Sequence, residues 1–365
     1  MRTIKNILQV TGSLKRGGLE KVAASYFFEV DKTVYKFVYV VFGDEIGELE
    51  HKIKKKGGKV VHIPAPQKGY SNYIDNLKKI MKEHGPFDVV HSHVLFNSGF
   101  VMKAAYEEGI TNRVSHAHSS RKKKKVSLIK RLYNKYMQYY LAKYSTNFVA
   151  CSQEAGCYLF GEENFLKHGQ VIVNAIDVDN YTFDLVSRNK MRHKLNLENK
   201  LVIGHTGNFN KVKNHEFLLN ILKAVLEKRK DTILLLVGDG PEKEHIINEA
   251  SKHNLLNNII FAGEKDSVRD FLMGMDVFVF PSLYEGLGLS LIEAQAANLP
   301  CLVSDRIPYE AIISQNTVTL SLEEDVSVWR KKVIELSTVQ REENINFVEN
   351  YRIEHMVQQI NNLYN

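Results

Sequence analysis

The chain has little cysteine: Cys151, Cys157 and Cys301 are the three among 365 residues. They follow no metal-ligand spacing and leave an odd count, so the sequence suggests neither a disulfide framework nor a cysteine-based zinc site. Long apolar runs are also missing. Nothing approaches the ~20 apolar residues of a membrane-spanning helix. The first apolar segment, Ile4 to Val10, is broken by polar residues and too short for a signal-peptide core. A cytoplasmic protein is expected. No repeat at solenoid spacing is visible. The Gly-Lys-Ser/Thr ending of a P-loop is absent, which argues against an ATPase. No helix-turn-helix or RNA-reading motif accompanies the basic residues, which argues against a nucleic-acid partner.

What is present is ordinary for a soluble globular protein: 44% apolar and 25% charged residues. The length suits two domains. A net charge of +7 points to an acidic partner: nucleic acid, anionic lipid or a phosphorylated ligand. Short β-branched runs alternate with amphipathic ones. Strands are expected at Ile4–Val10, Tyr35–Phe42, Val60–Ile63, Val89–Ser92, Arg113–His116, Asn147–Ala150 and Val171–Val173. A second series is expected at Leu201–Thr206, Thr232–Val237, Ile259–Ala262, Val277–Phe280 and Pro300–Ser304. Helices between them, such as Leu19–Phe28, Asn72–Glu83 and Glu216–Lys228, imply parallel sheets built from βαβ units. Twelve strands suit two doubly wound α/β domains better than one sheet. The break falls in the turn-rich stretch Asp177–Asn189, giving domains 1–183 and 184–349. The helical pattern of Ile353–Tyr364 suggests that 350–365 packs back across the junction.

The densest chemistry lies in Phe280-Pro-Ser-Leu-Tyr-Glu285-Gly-Leu-Gly-Leu-Ser290-Leu-Ile-Glu293. A strand leads through a Gly-Leu-Gly turn into a helix expected over Leu291–Ala297. Backbone N–H groups at a helix start attract anions. Glycines allow close approach, and Ser290 suits a helix cap. Glu285 and Glu293 suit vicinal hydroxyls. A second loop, Gly204-His-Thr-Gly207-Asn208-Phe-Asn-Lys211-Val-Lys213-Asn-His215, offers two cations ahead of a helix. A third, Val237-Gly-Asp-Gly-Pro241, ends a strand and reads equally as plain turn chemistry.

In this order the motifs resemble the retaining glycosyltransferases of family 4, whose signature Glu-x7-Glu is matched by Glu285 and Glu293. Gly17-Gly18-Leu-Glu20, Val173-Asn174-Ala-Ile-Asp177, Ala150-Cys-Ser-Gln-Glu-Ala-Gly156 and Arg113-Val-Ser-His116-Ala-His118 extend the likeness along the chain. The last two resemble the branch that builds exopolysaccharide and capsule. The resemblance implies a GT-B fold, two Rossmann-like domains facing across a cleft with a C-terminal helix crossing back. It implies a nucleotide-sugar donor, probably a UDP-sugar in that branch, with no cofactor and no metal. Glu293 would hold the ribose and Glu285 the sugar. Lys213 and the amides of Gly286, Leu287, Gly288, Leu289 and Ser290 would hold the diphosphate, with Gly17 and Gly18 on the opposite wall. The base would lie near Lys265 to Val268, and His118 beside the sugar. The family usually has Arg where this chain has Asn208; that substitution removes a charge and a bidentate donor. Lys211 is the candidate to compensate.

The first domain carries His91-Ser-His93 and His116-Ala-His118 at strand ends, where residues i and i+2 share a face. A four-imidazole metal site and a set of satisfied histidines are both open readings, though no carboxylate or cysteine completes a metal set. Arg121-Lys-Lys-Lys-Lys125 runs on through Lys130, Arg131, Lys135 and Lys143 without an acid. Leu128, Ile129, Leu132, Tyr133, Tyr136, Met137, Tyr140 and Leu141 are interleaved. This is the pattern of an interfacial basic helix, fitting an anionic membrane surface and a lipid-linked glycan acceptor. Its bland alternative is a core face with solvated cations. The enzyme is thus expected on the inner face of the cell membrane. The rival functions are a nucleotide-sugar epimerase of the same fold and a non-catalytic, membrane-binding partner of another transferase.

Overall fold

The computed structural model describes residues 4–15, 18–119, 127–341 and 346–365. The chain forms two compact units, one of Met1–Ala175 with Asn350–Asn365, the other of Ile176–Glu349. The first unit holds strands β1 (Lys5–Val10), β2 (Tyr35–Phe42), β3 (Lys59–Ile63), β4 (Val89–Ser92), β5 (Asn112–Ala117), β6 (Asn147–Ala150) and β7 (Gly169–Val171). Their order is β3-β2-β1-β4-β5-β6-β7. The second unit holds β8 (Leu201–Thr206), β9 (Thr232–Val237), β10 (Ile259–Gly263), β11 (Val277–Phe280), β12 (Cys301–Ser304) and β13 (Thr317–Leu320), ordered β10-β9-β8-β11-β12-β13. Neighbouring strands pair in parallel in both sheets. Each sheet has a switch point, β1/β4 and β8/β11, where strand order reverses. Ligands of doubly wound sheets bind beyond the carboxyl ends of the strands at such points.

The strands β4, β11 and β12 are buried along their whole length, as expected when helices cover both faces of a parallel sheet. The first core gathers Tyr26, Phe27, Phe37 and Tyr39 with Met356, Ile360 and Tyr364 of the terminal helix Ile353–Tyr364. Tyr26 and Tyr364 meet edge to face at 5.3 Å. Lys5 Nζ donates to Tyr364 O at 2.6 Å and Asn112 Nδ2 to Leu363 O at 2.7 Å. The last helix is therefore built into the first unit by packing and by satisfied carbonyls. The second core centres on Trp329, Leu222, Leu236 and Val279.

Three local expectations shift. Strand β13 was not foreseen: its Thr-Val-Thr-Leu run is short, half exposed and at the sheet edge. Gln295 secures it from a distance, accepting from Ile313 N, Ser314 N and Thr317 Oγ1. Strand β7 begins two residues earlier than its apolar run suggests. Gly169 opens it, and a Cβ there would lie 2.1 Å from the Phe165 ring. The turn-rich stretch 177–189 contains helices Val178–Tyr181 and Leu185–Lys194, started by Asp177 and Asp184 side chains that accept backbone N–H groups.

Asp276 ties the second of these helices to the sheet. It accepts from Arg188 and Arg192 and from Val202 N at 2.8 Å. Replacing Asp276 by Ala leaves two partly buried guanidinium groups without their carboxylate. The second unit is expected to lose about 3 kcal/mol, measured as an earlier unfolding transition in denaturant or heat. An unshifted transition would contradict this role.

Candidate active site

In the second unit, the segments that follow β8 and β11 meet at the switch point. After β8, Asn210 Oδ1 accepts from Val212 N at 2.9 Å and Lys213 N at 3.2 Å. This cap winds Lys211–Lys213 into a single 3-10 turn ahead of the helix His215–Leu226. The turn places the two lysines differently. Lys211 is exposed, whereas Lys213 reaches inward and donates to Glu285 Oε1 at 2.7 Å. The pair is 13% and 12% exposed. The Lys213 ammonium also lies 4.5 Å from the centre of the Phe280 ring, a cation–π contact in a partly desolvated site. A Cβ on Gly207 would stand 3.1 Å from Lys213 Cε, so the lysine stem runs against bare backbone.

After β11, the chain turns at Gly288 into the helix Leu289–Ala296. Gly288 has φ 89° and occupies the cap position, a left-handed conformation that favours glycine. This corrects the role expected of Ser290: it lies inside the first turn, and no side chain caps this helix. Gly286, Gly288, Leu289 and Ser290 are partly exposed, and Leu287 is buried as the anchor of the turn. The helix start supplies N–H groups that lack intrahelical acceptors. Glu293 lies farther along the same helix and accepts from Tyr181 Oη at 2.9 Å. Burial, and then the Glu293 carboxylate, push the Tyr181 hydroxyl far above its ordinary pKa, so it stays a donor. Tyr181 was not foreseen: it stands 112 positions from Glu293 with no motif around it.

The Gly238-Asp-Gly240 turn supports this arrangement from below. Phe209 N donates to Asp239 O at 2.8 Å, and a Cβ on Gly238 would lie 2.0 Å from Gly207 O. Asn208, in the place of the family arginine, is exposed and accepts from Asn210 Nδ2 at 3.4 Å. Lys265 to Asp266 form an exposed loop beyond β10. Asp177-Val-Asp179 is the Asp-x-Asp of this region, and its first carboxylate caps the short helix Val178–Tyr181.

Two buried histidines flank Lys213. His205 Nδ1 bonds Val279 O at 2.9 Å, and His215 stacks on Phe209 at 4.1 Å. Burial, and then Lys213, lower the His215 pKa to about 4. Burial, and then His215, hold His205 well below its usual value. Both rings are therefore neutral beside the lysine.

In the first unit, β4 and β5 bring His91, His93, His116 and His118 together. His91 Nε2 bonds His116 Nδ1 at 3.1 Å, and His93 Nδ1 bonds His118 Nε2 at 2.8 Å. Gln9 and Tyr364 join the two pairs. The nitrogens of His91, His93 and His116 lie within 4.8 Å of one another, near enough to converge on an ion. Here they are engaged with one another, with Gln9 and with Tyr364. Gly18 begins the helix Gly18–Glu29, whereas Gly17 lies outside the described residues. The lysine run 121–125 also lies outside them. The helix Leu128–Tyr144 is described: Met137 and Leu141 are buried, but Leu128, Ile129, Leu132 and Tyr136 are exposed. No described helix is long and apolar enough to cross a membrane.

Residues 17–180 match the family Glycosyltransferase Family 4, and residues 187–361 match Glycosyl transferases group 1. The chain is similar to "Putative glycosyltransferase EpsF" of Bacillus subtilis (strain 168), 32% identical over 335 residues, 90% of this chain and 87% of that protein. It is similar to "Capsular polysaccharide biosynthesis glycosyltransferase CapH" of Staphylococcus aureus, 25% identical over 93% of this chain and 92% of that one. Among solved structures, Anabaena HepE in complex with UDP matches with a TM-score of 0.82 and 16% identity, covering 98% of this chain and 99% of that chain. That likeness shows the fold, two Rossmann-like sheets of GT-B type.

The buried imidazoles make stability depend on acid. His91 is lowered to about 3 and His118 to about 4, and His93 and His116 fall well below the usual value, all chiefly through burial. A ring that is neutral in the fold but protonates near 6.5 when unfolded favours folding fully above that pH. The advantage shrinks as pH falls from 6.5 toward 4. The slope per imidazole is up to about 1.4 kcal/mol per pH unit. The melting temperature is therefore expected to drop steeply between pH 6.5 and 4, and a flat profile would contradict neutral burial.

Proposed function

The chain belongs to glycosyltransferase family 4, and from that premise we propose that it moves a sugar from a UDP-sugar to a hydroxyl of a lipid-linked glycan. The transfer retains configuration and serves exopolysaccharide or capsule synthesis. The observation that carries this reading is the Lys213–Glu285 pair at the β8/β11 switch point, beside a glycine turn that opens a helix. An ammonium and a helix start suit a diphosphate; a carboxylate suits sugar hydroxyls. The donor's phosphates share Lys213 with Glu285, which remains available to hydroxyls through its second oxygen. Glu293 takes the ribose, oriented by Tyr181. The names EpsF and CapH support the polysaccharide setting, and HepE's complex with UDP supports the choice of base.

As the bond to the sugar breaks, negative charge grows on the leaving diphosphate while the sugar becomes oxocarbenium-like. Lys213, the amides from Gly286 to Ser290 and the helix dipole are aimed at that growing charge. They fill the role a metal ion plays elsewhere, so turnover is proposed to be metal-independent. Neutral His205 and His215 add no competing charge. No carboxylate is assigned as a nucleophile; the leaving phosphate accepts the proton of the incoming hydroxyl on the same face. His118 contacts the sugar. Asn208 contributes no charge, which leaves Lys213 as the principal cation.

Isothermal titration with UDP tests the donor site. Glu293→Ala is expected to weaken UDP binding by roughly tenfold or more, the value of hydrogen bonds to a charged group. Unchanged affinity would refute the ribose role.

The helix Leu128–Tyr144 is proposed to hold the enzyme against an anionic membrane surface, where a lipid-linked acceptor resides. Ile129 and Leu128 are 81% and 70% exposed, beside Lys130, Arg131 and Lys135 on the same helix. Apolar groups left in water among cations suit the headgroup boundary. Ile129→Asp with Leu132→Asp should reduce cosedimentation with phosphatidylglycerol vesicles by roughly tenfold or more without affecting UDP binding. Retained cosedimentation would remove this helix from the proposal.

A further inference from the structure

The histidine cluster of the first unit is a closed set of hydrogen bonds whose directions are not independent. A neutral imidazole has one N–H and one lone pair, and a tyrosine has a single O–H. Gln9 Nε2 donates to Tyr364 Oη at 2.9 Å. The tyrosine proton is then committed to His91 Nδ1, 2.7 Å away. His91 must carry its own proton on Nε2 and donate it to His116 Nδ1. That leaves His116 protonated on Nε2. On the other arm, Gln9 Oε1 accepts from His93 Nε2 at 2.8 Å. His93 Nδ1 is then bare and accepts from His118 Nε2, and His118 Nδ1 is left as a lone pair.

Amide orientation and tautomer are assigned through such networks, so the reverse case matters. If the Gln9 amide is turned over, every bond reverses. The tyrosine donates to Gln9 and accepts from His91 Nδ1, and all four rings become protonated on Nδ1. In both cases the four histidines share one tautomer. In both cases, too, the two loose ends differ in kind: one is a donor and the other an acceptor. Those ends are His116 Nε2 and His118 Nδ1, buried atoms without a hydrogen-bond partner. They belong to stacked rings whose centres are 4.0 Å apart. Asn174, packed beside His118, also has a buried Oδ1 without a partner.

We propose that Gln9 and Tyr364 are positioning residues that lock the four imidazoles into one tautomer, so that His116 and His118 present one fixed donor and one fixed acceptor to hydroxyl groups of the bound sugar. The tautomer lock stands on the hydrogen bonds alone; the sugar as its object rests on the role given to His118 above. A sugar hydroxyl both donates and accepts, and it is the group that a donor–acceptor pair recognises. A buried polar atom left unpaired costs about 1–3 kcal/mol, so the two loose ends favour a ligand that satisfies them. The lock also gives the last turn of the chain a function. Tyr364 stands 355 positions from Gln9, yet the two set the proton positions of rings that Tyr364 does not touch.

The test is long-range proton–nitrogen NMR of protein carrying 15N-labelled histidine, with signals assigned by single histidine replacements. In the native protein, all four rings are expected to be protonated on the same-named nitrogen. Tyr364→Phe keeps the packed ring and removes the hydroxyl. His93 and His118 should then become mixtures of tautomers, although neither bonds to Tyr364. Mixed tautomers in the native protein, or a uniform set that survives Tyr364→Phe, would overturn the lock. The native spectrum decides this even if the variant folds poorly. It needs no substrate, so a wrong donor reading would show separately, as no turnover of any UDP-sugar. With an active donor, Tyr364→Phe should slow transfer by roughly tenfold, the worth of one such hydrogen bond. An unchanged rate would overturn the sugar-binding half of the proposal.

Discussion

The ion pair between Lys213 and Glu285 is the interaction around which the second unit's site is arranged. Two strands that are neighbours in the sheet but 71 positions apart at their starts, Leu201 and Val277 in β8 and β11 respectively, deliver its members. Each member depends on its own turn: Asn210 winds the 3-10 turn that aims Lys213, and Gly288 opens the helix that follows Glu285. Gly207 gives the lysine stem room, and the Phe280 ring lies beside the ammonium. A partly desolvated pair interacts more strongly than an exposed one. It is also poised, since a diphosphate gives the lysine a second anion without asking it to leave the first.

Burial shapes the titratable groups around both sites in the same direction. His205 and His215 lose their proton affinity in the second unit, as do the four histidines of the first. Neutral imidazoles are directional, because each has one donor and one acceptor nitrogen. In the first unit this directionality links the terminal helix to His118 through Gln9. In the second it leaves Lys213 as the cation beside Glu285. Both units thus rely on fixed dipoles and single charges within preformed surroundings, which is the form of preorganisation that stabilises developing charge.

Much of this was legible in the sequence. Continuous apolar runs such as Val277–Phe280 announce a buried parallel strand, and Glu285-Gly-Leu-Gly leading to Glu293 announces a helix start with two acids. The pattern could not show features made by distance in the chain. Tyr181 reaches Glu293 across the unit, and Gln295 pins β13, whose four residues carry too weak a local signal. Ser290 has the chemistry of a cap, but the turn required a left-handed residue one step before the helix, and Gly288 took that place. The histidine pairs were visible as a strand-end pattern; their link through Gln9 and Tyr364 was not, because one partner lies in the first strand and the other in the last helix.

The central claim is that the Lys213–Glu285 pair and the turn beside it hold a nucleotide diphosphate. A crystal structure of the protein with UDP tests this most directly. The account predicts the diphosphate against the Lys213 ammonium and the amides of Gly286 to Ser290, with the ribose hydroxyls on Glu293. A diphosphate bound elsewhere, with the Lys213–Glu285 pair untouched, would contradict it.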